Sequence, residues 1–542
     1  MLKKSEGAPA PVRRKTGLTG ATAIISGAAT IAITALFMAA PAYHVIAWEN
    51  TPDKHGAASE MIEQIMSEDD IPGAAVVVVQ EDETTLAEGF GITSIEYPCL
   101  VDENTVFILA SVSKSFTALG VLLLRDEGLL DINKPVVYYL PDFSLADKKT
   151  SSKITVRQLL THTSGIPGAL AEPQGYFNGP DAMTKMVHDI SGLSLSNPPG
   201  SVFEYSNLNY FLLGAVVEAV TGELFENYMA EAVFKPLGLH HTTLSLEQAE
   251  IWGMAHGHQP VFGQIWERSM PVFRSAAPAG WVMSNASDMG RWLRLFLNKG
   301  ELDGERLVRS ETIAEMITPA SSYHKDGHIV GYGMGWLIDK DSNGITRIWH
   351  GGDTPSFLAD MMLLPDYSTG VAVMLNSQTS TQGHLIAPRV AEIFLDIELE
   401  QLTSPWWAHW KAIDAFSFPV FIVCLLLAIG LLLFVRHLVN KIRCRHYVLF
   451  KPHTRARWLP RRLLFLYNLP LTGYCLLIAS GYIIFKLIYG YNIFTVVASI
   501  LLVAPPSIWI AAMTMMALVA LWSLTLSTAT VVLRCNYKPP RK

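Results

Sequence analysis

The sequence predicts an α/β protein of the α+β type, in which helices flank an antiparallel sheet, a mainly helical lobe adjoins it, and an α-helical transmembrane region follows. Three observations lead to this prediction. Strand-like apolar stretches occur within residues 74–90 and 336–375, residues 111–300 have helical patterning, and uncharged stretches of membrane-spanning length follow residue 415.

The sheet is predicted from short apolar stretches that are bounded by turn-forming residues. The two early stretches would form a hairpin and the later ones would add strands, so that both ends of the domain supply one sheet. Helices near Ala57–Ser67 and His384–Leu395 would cover it. The predicted strands are Ala74–Val79, Thr85–Phe90, Trp336–Ile338, Thr346–His350, Ala359–Leu364 and Val371–Leu375.

The chain is expected to have three parts. Residues 1–45 would form a basic start followed by a signal anchor or signal peptide, and residues 46–400 an extracytoplasmic domain. Residues 401–542 would form a membrane domain with three transmembrane helices. Within the first part, residues 17–41 carry no charge and exceed the apolar length of a cleavable signal, which favours an uncleaved anchor.

The three C-terminal spans are predicted from uncharged or nearly uncharged stretches. Each of the first two, at 416–435 and about 463–488, fits one membrane-spanning helix. The third stretch, 493–533, is too long for one span and is interrupted by Pro505 and Pro506. We therefore expect its helix to begin after these prolines, at about 507–533.

Charge placement predicts the orientation in the membrane. Residues 1–15 carry five Lys or Arg and one Glu, and residues 411–542 carry fifteen Lys or Arg and one Asp, so a formal net charge of −7 leaves −25 for residues 16–410. The connection 436–462 holds nine Lys or Arg and no acid. Since basic segments stay in the cytoplasm, we expect a multi-pass protein of the cytoplasmic membrane with its central domain outside.

The acidic central region argues against nucleic acid as a partner, because a phosphate-binding surface needs a basic face. We expect a small-molecule or peptide substrate and membrane lipid as partners, and the oligomeric state stays open. Cys99 is the single cysteine of the central region, so no disulfide is predicted within it. A lone cysteine is typically a buried small apolar residue, which is our expectation here.

The first chemical pattern is a serine and a lysine three residues apart, Ser111 and Lys114, between an apolar stretch and a helix-like run. At the start of a helix both side chains would share one face, and the free backbone N–H groups and the helix dipole would favour developing negative charge. The pattern alone is weak. A second copy, Ser322 to Lys325, has polar surroundings typical of a surface loop.

Two further patterns supply the groups that acyl transfer still needs. Tyr205 and Asn207 precede an apolar helix, where a phenol can relay a proton and an amide can bind a substrate carbonyl. His350 ends a strand-like stretch and is followed by Gly351 and Gly352, which allow a substrate backbone to approach the strand edge. A structural role for His350 stays open.

Together these motifs resemble the serine β-lactamase and penicillin-binding protein superfamily, in its class C, DD-carboxypeptidase, D-aminopeptidase and esterase branch. The resemblance covers about residues 58–397 and includes the Leu159–Pro167, Gly331–Trp336 and Ala279–Trp292 stretches. It implies a β-lactamase/transpeptidase-like fold and needs no metal and no cofactor.

The resemblance also implies roles for the site residues. Ser111 would be acylated, Lys114 and Tyr205 would move its proton, and Asn207 would orient the substrate. The backbone amides of Ser111 and Asp353 would form the oxyanion hole, with His350, Gly352 and Asp353 on the substrate-binding strand. A lysine that holds the carboxylate of a β-lactam is replaced by His350, which argues against strong β-lactam hydrolysis.

The predicted function is a membrane-anchored extracytoplasmic serine hydrolase that cleaves an amide or ester through an acyl-enzyme on Ser111. The architecture resembles membrane peptidases that remove an N-acylated D-amino-acid segment, so a peptidase acting on D-amino-acid-containing or N-acylated peptides is favoured. Ile108 stands where that subgroup has an acidic residue, so D-asparagine specificity is not carried over. The alternatives are a β-lactamase, DD-carboxypeptidase or esterase of the same fold, and a non-hydrolytic penicillin-binding-like receptor.

Overall fold

The computed structural model describes residues 53–168, 175–325, 328–378, 381–400, 410–443, 447–449 and 506–535. The predicted N-terminal anchor, the predicted span near residues 463–488 and the segment 493–504 lie outside these residues.

An eight-stranded antiparallel sheet organises the main domain of the chain, in the order β2-β1-β14-β13-β12-β11-β10-β9. Each predicted strand is present, and both ends of the domain supply the sheet as expected. The sequence did not indicate the last hairpin, β9 and β10, which is short and polar at its outer strand. The strands are β1 Gly73–Gln80, β2 Glu83–Gly91, β9 Ser321–Lys325, β10 His328–Tyr332, β11 Leu337–Lys340, β12 Thr346–Asp353, β13 Leu358–Leu364 and β14 Thr369–Leu375.

The central strands of this sheet are buried along their whole length because both of their faces are covered. Every residue of β13 and β14 is buried, in place of the alternation of a strand with one wet face. A large apolar core lies between the sheet and the helical lobe, and a smaller one lies between the sheet and the first and last helices of the domain. These are the two layers that the sequence predicted.

The helices cover both faces of the sheet. Two of them, α1 and α12, correspond to the predicted covering helices, and the others form the lobe. The bounds are α1 Lys54–Asp69, α2 Ser113–Asp126, α3 Lys148–Ser151, α4 Val156–Leu160, α5 Ala182–Asp189, α6 Asn207–Thr221, α7 Phe225–Met229, α8 Leu246–Ile251, α9 Ala277–Gly280, α10 Ala286–Leu297, α11 Ser310–Met316 and α12 Ile386–Leu395.

Three short strand pairs complete the domain. Strand β3, which pairs with β6, precedes the helix that begins near Ser111. The pair β4–β5 is a hairpin, and β7–β8 is a second short strand pair. Their bounds are β3 Phe107–Ile108, β4 His258–Val261, β5 Gln264–Glu267, β6 Met283–Ser284, β7 Glu301–Leu302 and β8 Glu305–Arg306.

Two long helices, α13 (Trp410–Arg443) and α14 (Pro506–Val532), follow this domain. Within α13, residues Ser417–His437 are long and apolar enough to cross a membrane, in agreement with the first predicted C-terminal span. In α14 the apolar part Pro506–Trp522 is shorter. Among the described residues, α13 is therefore the single long helix of clear spanning character.

The two long helices run side by side in the same direction. Near their starts, Ser507 hydrogen-bonds to Asp414, and further along the indole N–H of Trp522 donates to the carbonyl of Leu427 at 2.9 Å. Beyond their ends, β15 (Tyr447–Leu449) pairs with β16 (Leu533–Cys535).

Two predictions about residues outside the candidate site are wrong. Cys99 is exposed, so the prediction of a buried apolar cysteine is wrong; it lies in a loop after β2 that projects from the domain. The second serine–lysine copy forms the edge strand β9, where we expected a surface loop. A strand does not place residues three apart on one face, as the first turn of a helix does.

Candidate active site

Ser111 lies in a tight turn between the β3–β6 pair and helix α2. Residues Ala110–Val112 form a single 3₁₀ turn, and Ala110 has a φ of +46°, a left-handed conformation that costs a non-glycine residue free energy. The N–H of Leu109 donates to the carbonyl of Val282 at 2.9 Å, which holds the approach to the turn. The strained turn is therefore fixed from outside by the tertiary structure.

Lys114 reaches the serine from the first turn of α2. Its Nζ lies 2.9 Å from Ser111 Oγ and donates to the carbonyl of Ala279, also at 2.9 Å. The side chain is completely buried. Its Nζ also lies 5.0 Å from the centre of the Tyr205 ring and 5.7 Å from that of Tyr210. The predicted serine–lysine pair is thus formed within an aromatic pocket.

Tyr205 approaches the same serine from the helical lobe, just before α6. Burial raises the pKa of its phenol, against the opposing effect of its hydrogen bond with Ser111. The phenol therefore carries its proton near neutral pH. Asn207 begins α6, half-buried and two residues from Tyr205, so the turn before this helix presents both predicted side chains.

His162 holds this turn in place through hydrogen bonds. Its Nδ1 accepts a hydrogen bond from the backbone N–H of Ser206 at 3.2 Å and contacts the Asn209 amide at 2.9 Å, so the ring proton lies on Nε2. Burial, helped by the charge of Lys114, holds the pKa of His162 well below its usual value. The neutral ring lies 4.4 Å from the Tyr205 ring, so His162 has a structural role beside the site.

Strand β12 forms the opposite wall of the site. A Cβ atom on Gly352 would lie 2.3 Å from the carbonyl oxygen of Leu109 and 2.9 Å from the backbone nitrogen of Ser111. This approach is possible only for glycine, and it brings the end of β12 against the nucleophile turn. The predicted strand residues and the predicted nucleophile are therefore neighbours in space.

His350 is buried on β12, 6.1 Å from the Tyr205 ring. Its Nδ1 lies 2.6 Å from the carbonyl oxygen of Gly351, and since a carbonyl only accepts, Nδ1 carries the proton. Burial and the charge of Lys114 lower the pKa of His350 to about 3. The ring is therefore neutral, and its Nε2 is a buried acceptor with no hydrogen-bond partner among the described residues.

Asp353, the last residue of β12, is held from the rear of the sheet. Its Oδ1 accepts from the Gln378 amide at 2.9 Å and from His384 Nε2 at 3.1 Å. Desolvation acts to raise the pKa of Asp353, but the charge of His384 and these hydrogen bonds lower it. His384 Nδ1 also lies 3.5 Å from Asp360, and both carboxylates raise its pKa well above the usual value, although burial opposes them.

Sequence reasoning did not find His384, Gln378 or Asp360 as parts of the site. His384 was predicted only as the start of a covering helix, and Asp360 lies within an apolar strand. The pairing of Gly351 with Asp360 across β12 and β13 is what brings this cluster together. The sequence contains no local pattern that could have revealed it.

The comparison with protein families decides how this geometry is classified. A family model described as Beta-lactamase matches residues 58–394, which is more than half of the chain. The chain belongs to the β-lactamase family. The prediction of the serine β-lactamase and penicillin-binding protein superfamily is thereby confirmed, and the match covers the strands and helices around the site.

Curated relatives of this β-lactamase-family protein share the same region. Protein flp of Staphylococcus aureus (strain NCTC 8325 / PS 47) is 28% identical over 332 residues, which are 60% of this chain and 64% of that protein. Penicillin-binding protein 4 of Amycolatopsis lactamdurans is 29% identical over 363 residues, which are 63% of this chain and 93% of that protein. The chain thus matches somewhat less than two thirds of the length of the flp protein.

Solved structures show the same fold. The octameric penicillin-binding protein homologue from Pyrococcus abyssi aligns with a TM-score of 0.55 at 25% identity, over 63% of this chain and 77% of that one. A class C β-lactamase aligns with a TM-score of 0.54 at 20% identity, over 66% of this chain and all of that one. The predicted fold class is therefore confirmed.

Proposed function

We propose that this chain is a membrane-anchored extracytoplasmic serine hydrolase that cleaves an amide or ester bond through an acyl-enzyme on Ser111. The observation that carries the proposal is the 2.9 Å contact between Lys114 Nζ and Ser111 Oγ, inside a pocket that also holds Tyr205. A nucleophile, a base within hydrogen-bond reach and a third orienting group are the parts that nucleophilic catalysis requires.

In the proposed reaction, Ser111 Oγ attacks the substrate carbonyl carbon while its proton passes to the free amine of Lys114. The C–N or C–O bond of the substrate then breaks, and the proton reaches the leaving group through the protonated Tyr205 phenol. A water molecule attacks the resulting ester, and the product acid and free Ser111 are restored. The N–H groups of Ser111 and Asp353 would stabilise the negative oxygen of each tetrahedral intermediate.

The state of His350 favours a peptide or ester substrate over a β-lactam. A neutral imidazole with its proton on Nδ1 offers an acceptor at Nε2, so it can bind a substrate N–H or O–H but does not supply the cation that holds a carboxylate. We therefore place a β-lactamase below a peptidase or esterase among the candidate activities.

The open edge of β12 favours a peptide among these substrates. Strand β11 pairs with β12 only as far as Trp349, whereas β13 continues to Asp353. The segment from His350 to Asp353 therefore has a strand neighbour on one side, and an extended peptide could add on the other. D-amino-acid-containing or N-acylated peptides are the class that the family resemblance suggests.

Membrane anchoring is supported by the two long helices. Since α13 and α14 run in parallel, the chain between them must return across the membrane if both span it, as the predicted span near residues 463–488 would do. The pairing of β15 with β16 brings the C-terminal ends of both helices together. Three C-terminal crossings and an external catalytic domain satisfy this arrangement.

The test is a time course of intact masses of the full chain in detergent, after addition of a penicillin or, separately, of a serine-reactive phosphonate. Ser111→Ala is the inactive variant, and Ser322→Ala, which alters the second serine–lysine copy, is the matched control. We expect phosphonate labelling of the wild type and Ser322→Ala but not of Ser111→Ala, with any penicillin adduct released over time.

Other outcomes would redirect the proposal. A permanent penicillin adduct without turnover of any ester or peptide would indicate a penicillin-binding receptor. Fast penicillin hydrolysis would indicate a β-lactamase and would contradict the role assigned to the neutral His350. Failure of the phosphonate to label Ser111 would contradict the hydrolase itself.

A further inference from the structure

The hairpin β4–β5 connects the catalytic domain to the start of α13. Its turn, Phe262 and Gly263, has positive φ at both residues, the geometry of a tight two-residue hairpin turn. Both turn N–H groups donate to the buried carboxylate of Asp414, with the Phe262 N–H at 3.1 Å. The tip of the hairpin is therefore fixed to the first turns of the long helix.

The packing of the Phe262 ring indicates the level along α13 at which the hairpin tip lies. It packs 6.2 Å from Phe418 and 5.2 Å from Phe421, within the first turns of the apolar segment Ser417–His437. Phe421 is four residues into this segment, about 6 Å along the helix axis at 1.5 Å per residue. If this segment spans the bilayer, the tip of the hairpin is level with the edge of the hydrocarbon core.

Large apolar side chains are exposed beside this hairpin. Trp266, on β5, is three residues from the turn, or about 10 Å along a strand. The exposed fractions are 60% for Trp266, 73% for Tyr97 and 82% for Leu100. We call Ile95, Tyr97, Leu100 and Trp266 the Tyr97–Trp266 patch.

The loop that carries the other patch residues is tied to β5. Glu267 accepts hydrogen bonds from the Ser94 hydroxyl and from the backbone N–H of Glu96 at 2.9 Å, and the N–H of Tyr97 donates to Ser94 at 2.8 Å. The loop is therefore fixed to the hairpin, and both carry exposed apolar side chains near the point where the domain meets α13.

We propose that the Tyr97–Trp266 patch inserts into the interfacial layer of the bilayer that α13 spans, and gives the catalytic domain a second attachment to the membrane. The inference rests on the proposed membrane anchoring. Trp and Tyr are the side chains that favour the lipid–water interface, and the exposed Trp266 and Tyr97 lie on segments joined to the start of the proposed anchor.

The chemistry of the patch selects the kind of lipid surface. Residues 91–104 contain three acidic residues and no Lys or Arg, so electrostatic attraction to anionic headgroups is not the driving force. Burial of apolar and aromatic surface drives insertion, and zwitterionic phosphatidylcholine is a sufficient partner. Insertion should therefore be insensitive to salt.

The hairpin also reaches the active site at its other end. The N–H of His258, where β4 begins, donates to the carbonyls of Asn376 at 2.8 Å and Ser356 at 3.3 Å. Ser356 belongs to the loop that follows Asp353. Insertion of the patch would thus fix the position of the substrate-binding strand relative to the bilayer surface.

The experiment uses the full chain in phosphatidylcholine nanodiscs with one nitroxide label, whose accessibility to oxygen and to a water-soluble nickel chelate reports its surroundings. The first label is on the native, exposed Cys99, between Tyr97 and Leu100, with the other four cysteines replaced by serine. Two controls lack Cys99 and carry the label on Leu426→Cys, 62% exposed on α13, or Ile329→Cys, 63% exposed on β10.

We expect the labels at 99 and 426 to be more accessible to oxygen, as a label in lipid is. The label at 329 should be more accessible to the nickel chelate, as a label in water is. The double substitution Tyr97→Ser with Trp266→Ser should return the Cys99 label to water. Raising NaCl from 0.05 to 0.5 M should leave the label in lipid, because insertion does not depend on charge.

Each other outcome has a distinct meaning. If the Cys99 label is in water while the label at 426 is in lipid, the second attachment is overturned and the anchor stays intact. Water at 426 would overturn the membrane anchoring on which the inference rests. Protection of the Cys99 label from both reagents would mean that protein, such as a second copy of the chain, covers the patch, and would also overturn the inference.

Discussion

The side chains of β12 alternate between the front and the rear face of the sheet, and the two faces carry different kinds of side chain. On the front face, His350 and Gly352 meet the nucleophile turn, and the titratable rings there, His350 and Tyr205, are uncharged near neutral pH. On the rear face, Asp353 and His384 form a charged pair with Asp360 close by. One strand therefore separates the neutral rings around Lys114 from an ionic cluster.

This difference explains how the proposed base can work. Proton transfer from Ser111 requires Lys114 as a neutral amine, and the titratable rings that face it, His350 and Tyr205, add no charge of their own. The rear cluster holds the end of the strand by charge while keeping that charge away from the proton transfer. The predictions below test each face in turn, from the largest expected effect to the smallest.

Among the side chains at the front face, the amine of Lys114 should contribute most to activity. Lys114→Met keeps the length of the side chain but removes the base, and we expect kcat/KM for an activated ester to fall about 10³-fold. Phosphonate labelling kinetics of Ser111 would measure the loss directly, and thermal unfolding would check the fold. Activity within about tenfold of the wild type would remove Lys114 from the chemistry.

Substitution of the two glycines compares the faces directly. Gly352→Ala would force a methyl group against the backbone of Leu109 and Ser111, and we expect activity to fall about 10²-fold because the nucleophile turn must move. Gly351→Ala meets only the His384 ring at 3.1 Å, which can shift, so we expect at most about a tenfold loss. Equal losses from the two variants would contradict the assignment of the faces.

His350 should make the fold sensitive to acid. Its folded pKa of about 3 lies below the unfolded value, so unfolding takes up a proton between these pH values and stability falls as the pH falls from about 6.5. At about 1.4 kcal/mol per pH unit, the wild type should lose about 2 kcal/mol more than His350→Gln between pH 7 and pH 5.

Urea unfolding at the two pH values would measure this difference, with His324→Gln on the exposed edge strand β9 as the control. An unchanged pH dependence in His350→Gln would mean that the front face does not hold this ring neutral.

His384 should have the opposite pH dependence. Its pKa is raised in the folded state, so its stabilisation is present below about pH 6.5 and is lost as the pH rises through the folded value. We expect His384→Gln to be less stable than the wild type at pH 6 and the gap to narrow at alkaline pH, with kcat lowered severalfold. A gap that widens with pH would mean that the rear cluster does not hold the imidazolium.

The local patterns of the sequence predicted much of this molecule. The serine and lysine come together because residues three apart share a helix face, and the predicted strands formed because apolar stretches bury themselves on a sheet. The edge hairpin β9–β10 was missed because its exposed outer strand, Ser321–Lys325, has no apolar pattern. Cys99 was misjudged because burial depends on how a loop packs.

By itself, the sequence determined the order of the elements, the composition of the pocket and the spacing of Ser111 and Lys114, since these follow from local periodicity and side-chain chemistry. Only the tertiary structure decided that His384 holds Asp353 from behind the sheet, that Ala279 accepts a hydrogen bond from Lys114, and that Asp414 binds the hairpin tip. These contacts join residues 31 to 165 positions apart, and such pairings depend on strand register and helix packing that no local pattern encodes.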